Sequence, residues 1–167
     1  RLQIKNELIL TEKLDLKLIK KLKNYESNFV IFCDFGLTRK EDISKNFKHS
    51  IIVDHHLHYS SKKFSNVVEI NPNKYGFSGS KDACSSTMSY ILSLGLNEGN
   101  LDLAKFFVAG TIGDRHHYGG YSGLNKLLID YLTSNNIISR QNLPSMIGDS
   151  ISTGLKNMVD PFIVNFN

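Results

Sequence analysis

The 167-residue chain lacks any long apolar run, and none approaches the roughly 18 residues that a membrane-spanning helix requires. Arg1 to Asn24 does not read as a secretory leader, because it mixes Leu and Ile with many Lys. Cysteine is scarce. Cys33 and Cys84 are the only two, they sit among apolar or small residues, and no CxxC spacing joins them. That pattern reads as two reduced, buried thiols in a cytoplasmic protein rather than as a disulfide framework. Repeats, low-complexity tracts and Pro-rich linkers are missing too, so the length fits one domain with a real core and not two of ordinary size. The first residue is Arg rather than Met, which reads as a fragment of a longer chain.

What is present is the composition of a folded globular protein: 41% hydrophobic and 22% charged residues bury too much apolar surface for a disordered chain. The net charge of +4 and pI near 9.0 are mildly basic. Much of that charge lies in Lys13, Lys17, Lys20, Lys21 and Lys23, where a solvated helix face explains it as well as an anionic partner does.

Leu14, Leu16, Leu18, Ile19 and Leu22 recur at near-helical spacing, which predicts an amphipathic helix over roughly Glu12 to Asn24. Three short apolar runs follow: Phe29 to Cys33, Ile51 to Val53 and Val67 to Ile70, with room for a short helix over Arg39 to Phe47. Continuous β-branched runs bounded by turns suit strands buried on both faces, as in a parallel sheet covered by helices. Beyond them, Asp82 to Leu94, Leu101 to Ile112, Ser122 to Thr133 and Ser139 to Ile147 read as helices with Gly or Asn at the breaks. The expected fold is therefore α/β, a three-layer parallel sheet flanked by helices with a mainly helical second half.

In open α/β sheets, ligands bind beyond the carboxyl ends of the strands. The first run ends in Asp34 and the second in Asp54-His55-His56. Adjacent side chains on an extended backbone diverge, so these three residues divide their roles. One histidine on a metal, the other toward a substrate oxyanion and Asp54 supporting local geometry is one such division. Carboxylate plus imidazole suits Mn²⁺, Mg²⁺ or Zn²⁺. Asp114 closes Gly110-Thr111-Ile112-Gly113-Asp114 at the end of an apolar helix, where small residues permit close backbone approach. Taken singly, each feature has an ordinary structural explanation: a strand-end Asp as turn former or cap, a His-His pair as surface, an Asp after Gly as a helix end.

Taken jointly, they resemble a known family. Ile51-Ile52-Val53-Asp54-His55-His56 resembles the signature of the DHH phosphoesterase superfamily. Phe32-Cys33-Asp34-Phe35-Gly36 resembles its preceding Asp-x-Gly motif, and Ala109 to Asp114 its later Gly-x-x-Asp motif. Asn71-Pro72, Gly76-Phe77-Ser78-Gly79-Ser80 and Ser85-Ser86-Thr87 are similar to the segment between those motifs. Gly113-Asp114-Arg115-His116-His117 running into Gly123-Leu124-Asn125 is most similar to the archaeal RecJ-like branch, which includes exonucleases and relatives that bind the GINS replication complex. The resemblance implies a two-metal Mn²⁺ or Mg²⁺ site. Asp34 would bridge the ions, His55 and Asp114 would ligate one of them, and His56 would contact the scissile phosphate. Arg115, His116 and His117 follow directly, either as added phosphate contacts or as a solvated turn. The family's first motif, His-x-x-x-Asp-x-Asp, has no match here. Arg1 to Leu10 reads instead as the second strand, so residues 1–167 are expected to be a single partial domain, without the first strand and without a C-terminal substrate-binding domain. By itself such a chain would bind metal weakly and turn over little.

The leading functional expectation is a nuclease of DNA replication or repair that hydrolyses single-stranded DNA or RNA from the 5′ end, with no membrane partner. It calls for a basic groove with stacking aromatics such as Tyr59, Tyr75, Phe77, Tyr118 or Tyr121. The alternatives are a non-catalytic scaffold binding the GINS complex through its helical half, and a phosphohydrolase of short oligonucleotides, cyclic dinucleotides or pyrophosphate.

Overall fold

The computed structural model describes residues 4–25, 27, 29–58, 60, 62–140 and 149–157. The three apolar runs form three parallel strands in the order β1-β2-β3: Phe29–Cys33, His49–Val53 and Val67–Ile70. The register pairs Phe29 with His49 and Cys33 with Val53, then Ser50 with Val67 and Val53 with Ile70. Two further bonds carry the ladder past the strand ends: Asp34 N–H donates to Val53 O (2.9 Å) and Asp54 N–H to Ile70 O (3.1 Å). The backbones of two candidate site residues are thereby fixed to the sheet.

Helices α1 (Leu16–Leu22) and α2 (Lys40–Asn46), the latter preceded by a 3-10 turn Leu37–Arg39, cover one face. There Phe32, Ile52 and Val67 bury against Ile19, Leu37, Ile43 and Phe47. Each such side chain contributes on the order of 1.5–3 kcal/mol. Helix α1 is shorter than its periodicity suggests because Asp15 Oδ1 accepts the Leu18 N–H (2.8 Å) and so starts the helix at Leu16. Its lysines are exposed, as a solvated face requires. An ion pair lies beneath α2: Lys40 Nζ meets Glu69 Oε1 at 2.7 Å and Lys74 Nζ meets Glu69 Oε2 at 2.6 Å, with the Lys40 and Glu69 side chains both covered. Burial pushes the Glu69 carboxyl up, but the hydrogen bonds from Lys40 and Lys74 outweigh it and hold the group below the ordinary glutamate range.

The other face carries α3 (Ser85–Leu96), whose Met88 packs with Val53 and Ala83 beside Ile51, Ile70, Ile91 and Leu92. Helices α4 (Ala104–Gly113, after a 3-10 turn Asn100–Leu103) and α5 (Gly123–Ser134) add a second core of Tyr90, Ala104, Phe107, Ile129 and Leu132. Tyr90 and Phe107 stack there with ring centroids 5.4 Å apart. The α3–α4 approach depends on Gly110, where an added Cβ would meet Ser86 Oγ at 2.2 Å. A short α6 (Ile151–Asn157) follows. Among the described residues, no helix is long and apolar enough to cross a membrane.

The α/β class and the parallel sheet flanked by helices match expectation, and three local readings need correction. Residues 4–10 form no strand; they lie largely exposed, with Ile4, Leu8 and Leu10 turned to solvent, and make no ladder with β1. Strand β1 is not buried on both faces. Among the described residues it is an edge strand, with Phe29 and Ile31 half-exposed and Cys33 exposed rather than buried. The helix expected from Asp82 begins only at Ser85, because Asp82 accepts from Ser78 N–H (2.9 Å) and Ser122 Oγ (2.7 Å) and belongs to a turn. These bonds also hold its carboxyl below the ordinary range, the Ser78 backbone bond contributing most. The helix expected over 139–147 falls largely outside the described residues, and its first two residues, Ser139 and Arg140, are not helical.

Candidate metal centre

Three elements deliver ligand-type side chains to the carboxyl edge of the sheet. Asp34 ends β1 in a left-handed backbone conformation, φ 73°, which aspartate tolerates better than most residues. Asp54-His55-His56 ends β2. Asp114 caps the C-terminus of α4, its N–H donating to Gly110 O (3.0 Å). His55 Nε2 lies 3.4 Å from Asp34 Oδ1 and 4.0 Å from Asp114 Oδ2. Two overlapping groups of potential ligands result, Asp34-His55-His56 and His55-Asp114-His116, each with ligand atoms within 4.8 Å of one another.

The histidine orientations follow from their hydrogen bonds. His55 Nδ1 lies 2.6 Å from Gly79 O, a carbonyl that only accepts, so Nδ1 carries the proton and the Nε2 lone pair faces the two carboxylates. The loop that supplies this carbonyl is clamped: Asn73 Nδ2 donates to His55 O (2.9 Å), Asn71 Nδ2 to His56 O (3.0 Å), and Gly79 N–H to Asn73 Oδ1 (3.1 Å). Only glycine fits at position 79, where a Cβ would stand 1.7 Å from His55 O. Asp54 points inward and is 2% exposed. Its Oδ1 accepts from His55 N–H (2.8 Å), His56 N–H (3.1 Å) and His56 Nδ1 (2.7 Å). Asp54 therefore braces the turn, and His56, 62% exposed, presents Nε2 outward.

His116 is 6% exposed, and its Nδ1 lies 2.8 Å from Asn125 Nδ2. Burial lowers its pKa below the ordinary histidine value, opposed by the charge of Asp114. Arg115 is exposed at φ 59° and joins neither ligand group. His117 is half-buried beside the Tyr118 ring. Of the stacking aromatics, Tyr121 packs into the helical core, with its hydroxyl 3.2 Å from Thr111 Oγ1. Tyr75 and Phe77 border a separate apolar hollow with Met88 and Leu124; Tyr118 is exposed, and Tyr59 lies outside the described residues. A cleft of about 530 Å³ opens beside the ligands, walled by Cys33, Asp34, Ser85, Ser89, Phe106 and Asp114.

The donor set fits a divalent ion. Ligand atoms about 2.1 Å from one ion sit roughly 3.0–3.5 Å apart, so the Asp34–His55 spacing already suits, and the Asp114 carboxylate needs a shift of about half an ångström. The roles of Gly79, Asn73 and Asn125 carried no local sequence signal. The segments of Gly79 and Asn125 stood out only through resemblance, and Asn73 was in none of them.

No protein-family model matches the chain. It is 33% identical over 128 residues to an uncharacterized protein of Methanocaldococcus jannaschii, an alignment covering 74% of this chain and 29% of that protein. The chain thus spans less than a third of the length of this curated relative.

Proposed function

We propose that the protein containing this chain is a Mn²⁺- or Mg²⁺-dependent phosphoesterase that hydrolyses phosphodiesters of single-stranded nucleic acid, a RecJ-like member of the DHH superfamily. One observation carries the reading: His55 turns its Nε2 lone pair between Asp34 and Asp114, three residues from three elements meeting at the carboxyl edge of a parallel sheet. Asp34, His55 and Asp114 would hold the metal; bound there, it supplies Lewis acidity toward a phosphoryl oxygen and lowers the pKa of an attacking water. Asp54 holds the His56 ring so that its Nε2 faces outward, toward the substrate side of the centre. Exposed Arg115 at the rim adds positive charge for a phosphate backbone.

The test is Mn²⁺-dependent release of nucleotides from end-labelled single strands by the full-length protein. Asp34→Ala and His55→Ala should each lower the rate by at least about a hundredfold. No release, or release indifferent to both substitutions, rejects the reading. The 530 Å³ cleft beside Asp34 and Asp114 favours a second reading, a small substrate such as a dinucleotide, because its volume falls in the range of small-molecule sites. Faster hydrolysis of dinucleotides than of long strands selects it. For the GINS scaffold, the expected result is binding that survives Asp34→Ala with no hydrolysis by the parent protein.

A further inference from the structure

His55 and His116 both approach Asp114, and spacing alone would make each a metal ligand. Their hydrogen bonds set them apart. His55 gives its Nδ1 proton to the Gly79 carbonyl, which frees Nε2 as a lone-pair donor. His116 is wired the other way. Asn125, fully buried, accepts the Thr87 hydroxyl proton at Oδ1 (2.6 Å) and so turns Nδ2 toward His116 Nδ1 (2.8 Å) and the Lys81 carbonyl (3.4 Å). The opposite amide orientation would set Oδ1 against the Lys81 carbonyl, two acceptors facing each other. Thr87 is itself held, since its Oγ1 also accepts the Cys84 N–H (3.1 Å). The Asn125 backbone is pinned as well, its N–H donating to Asp82 O (2.8 Å). Nδ1 of His116 is therefore an acceptor, and the ring proton resides on Nε2.

We infer that His116 is not a third metal ligand but a hydrogen-bond donor, presenting Nε2–H to a phosphoryl oxygen of a substrate held at the Asp34-His55-Asp114 centre. A nitrogen that keeps its proton has no lone pair in the ring plane to offer a cation, whereas it suits an anionic oxygen bound by that cation. The relay Thr87–Asn125–His116 joins α3, α5 and the segment after α4, so three separate elements fix one tautomer. The inference rests on the phosphoesterase reading for its substrate, though not for the tautomer.

Long-range proton–nitrogen correlation spectra of the histidine rings in this chain test it, with His116→Gln assigning the His116 signals by their loss. Metal-free, His116 should show a pyridine-type Nδ1 and a pyrrole-type Nε2. Adding Zn²⁺, a diamagnetic probe ion, should shift His55 Nε2 and leave the His116 Nε2 proton in place. A pyrrole-type Nδ1 on His116, or loss of its Nε2 proton with Zn²⁺, overturns the inference. If His55 ignores Zn²⁺, the metal reading fails instead, and the metal-free spectrum still decides the tautomer. With Zn²⁺ present, His116→Ala should weaken binding of inorganic phosphate about fivefold, the equivalent of one neutral hydrogen bond, and His116→Gln should restore most of it. Phosphate affinity unchanged in His116→Ala counts against the donor role.

Discussion

Replacing Gly79 with alanine places a methyl group 1.7 Å from the carbonyl oxygen of His55. An unstrained carbon–oxygen contact needs about 3.3 Å, so the two backbones must separate by about 1.5 Å. That movement exceeds the tolerance of the bonds linking them: His55 Nδ1 to Gly79 O (2.6 Å), Asn73 Nδ2 to His55 O (2.9 Å) and Gly79 N–H to Asn73 Oδ1 (3.1 Å). At about 1 kcal/mol each, their loss costs about 3 kcal/mol, which lowers Tm by roughly 6–12 °C in a chain of this size. His55 also loses the carbonyl that fixes its tautomer, and such a loss weakens metal affinity by about 10–100-fold. Gly95→Ala is the control. Nothing lies within 4 Å of its added Cβ near the end of α3, so it should be neutral or stabilise by up to about 1 kcal/mol. Thermal melts followed by circular dichroism and calorimetric titration with Mn²⁺ read both effects. If Gly79→Ala matches the parent chain in Tm and Mn²⁺ affinity, the close approach of the two loops is refuted.

Lys40→Met leaves the buried Glu69 with only the half-exposed Lys74, and should cost about 3 kcal/mol in urea unfolding. Because the folded-state pKa of Glu69 is depressed, its contribution is present above the ordinary glutamate value near 4.5 and fades as pH falls through the lower folded value. Lys40→Met should flatten that acid-side loss; an unchanged stability-versus-pH curve would count against the pair. Leu132→Ala empties a fully buried site in the helical core and should cost about 2–5 kcal/mol by the same assay, a loss below 1 kcal/mol contradicting the packing described. Ellman's reagent should titrate one thiol in the native chain, exposed Cys33, and a second, Cys84, only after denaturation. Two thiols reacting at once would contradict the burial of Cys84.

The α/β class, all three strands and the carboxyl-edge position of Asp34 and Asp54-His55-His56 were legible in the sequence. Apolar runs and the turns that end them are local properties, and a strand end places whatever follows it at the sheet edge. Helices α3, α4 and α5 were also legible, to within a few residues at their ends. Asp15 and Asp82 shifted two starts because an aspartate's choice between capping a helix and closing a turn depends on donors that folding brings near. The open face of β1 was not legible, since Phe29 and Ile31 look like core in any local window and their half-exposure depends on what packs over the sheet edge.

The candidate centre divides in the same way. The sequence alone supplied the ligand types and their order along the chain. Only tertiary structure brought Asp34, His55 and Asp114 within a few ångströms of one another, and only it distinguished His55 from His116. Both are histidines beside the same aspartate, yet one faces a carbonyl 24 residues away and the other an amide nine residues away. A histidine's tautomer is set by its hydrogen-bond partner, and long-range partners are chosen by packing rather than by neighbours in sequence.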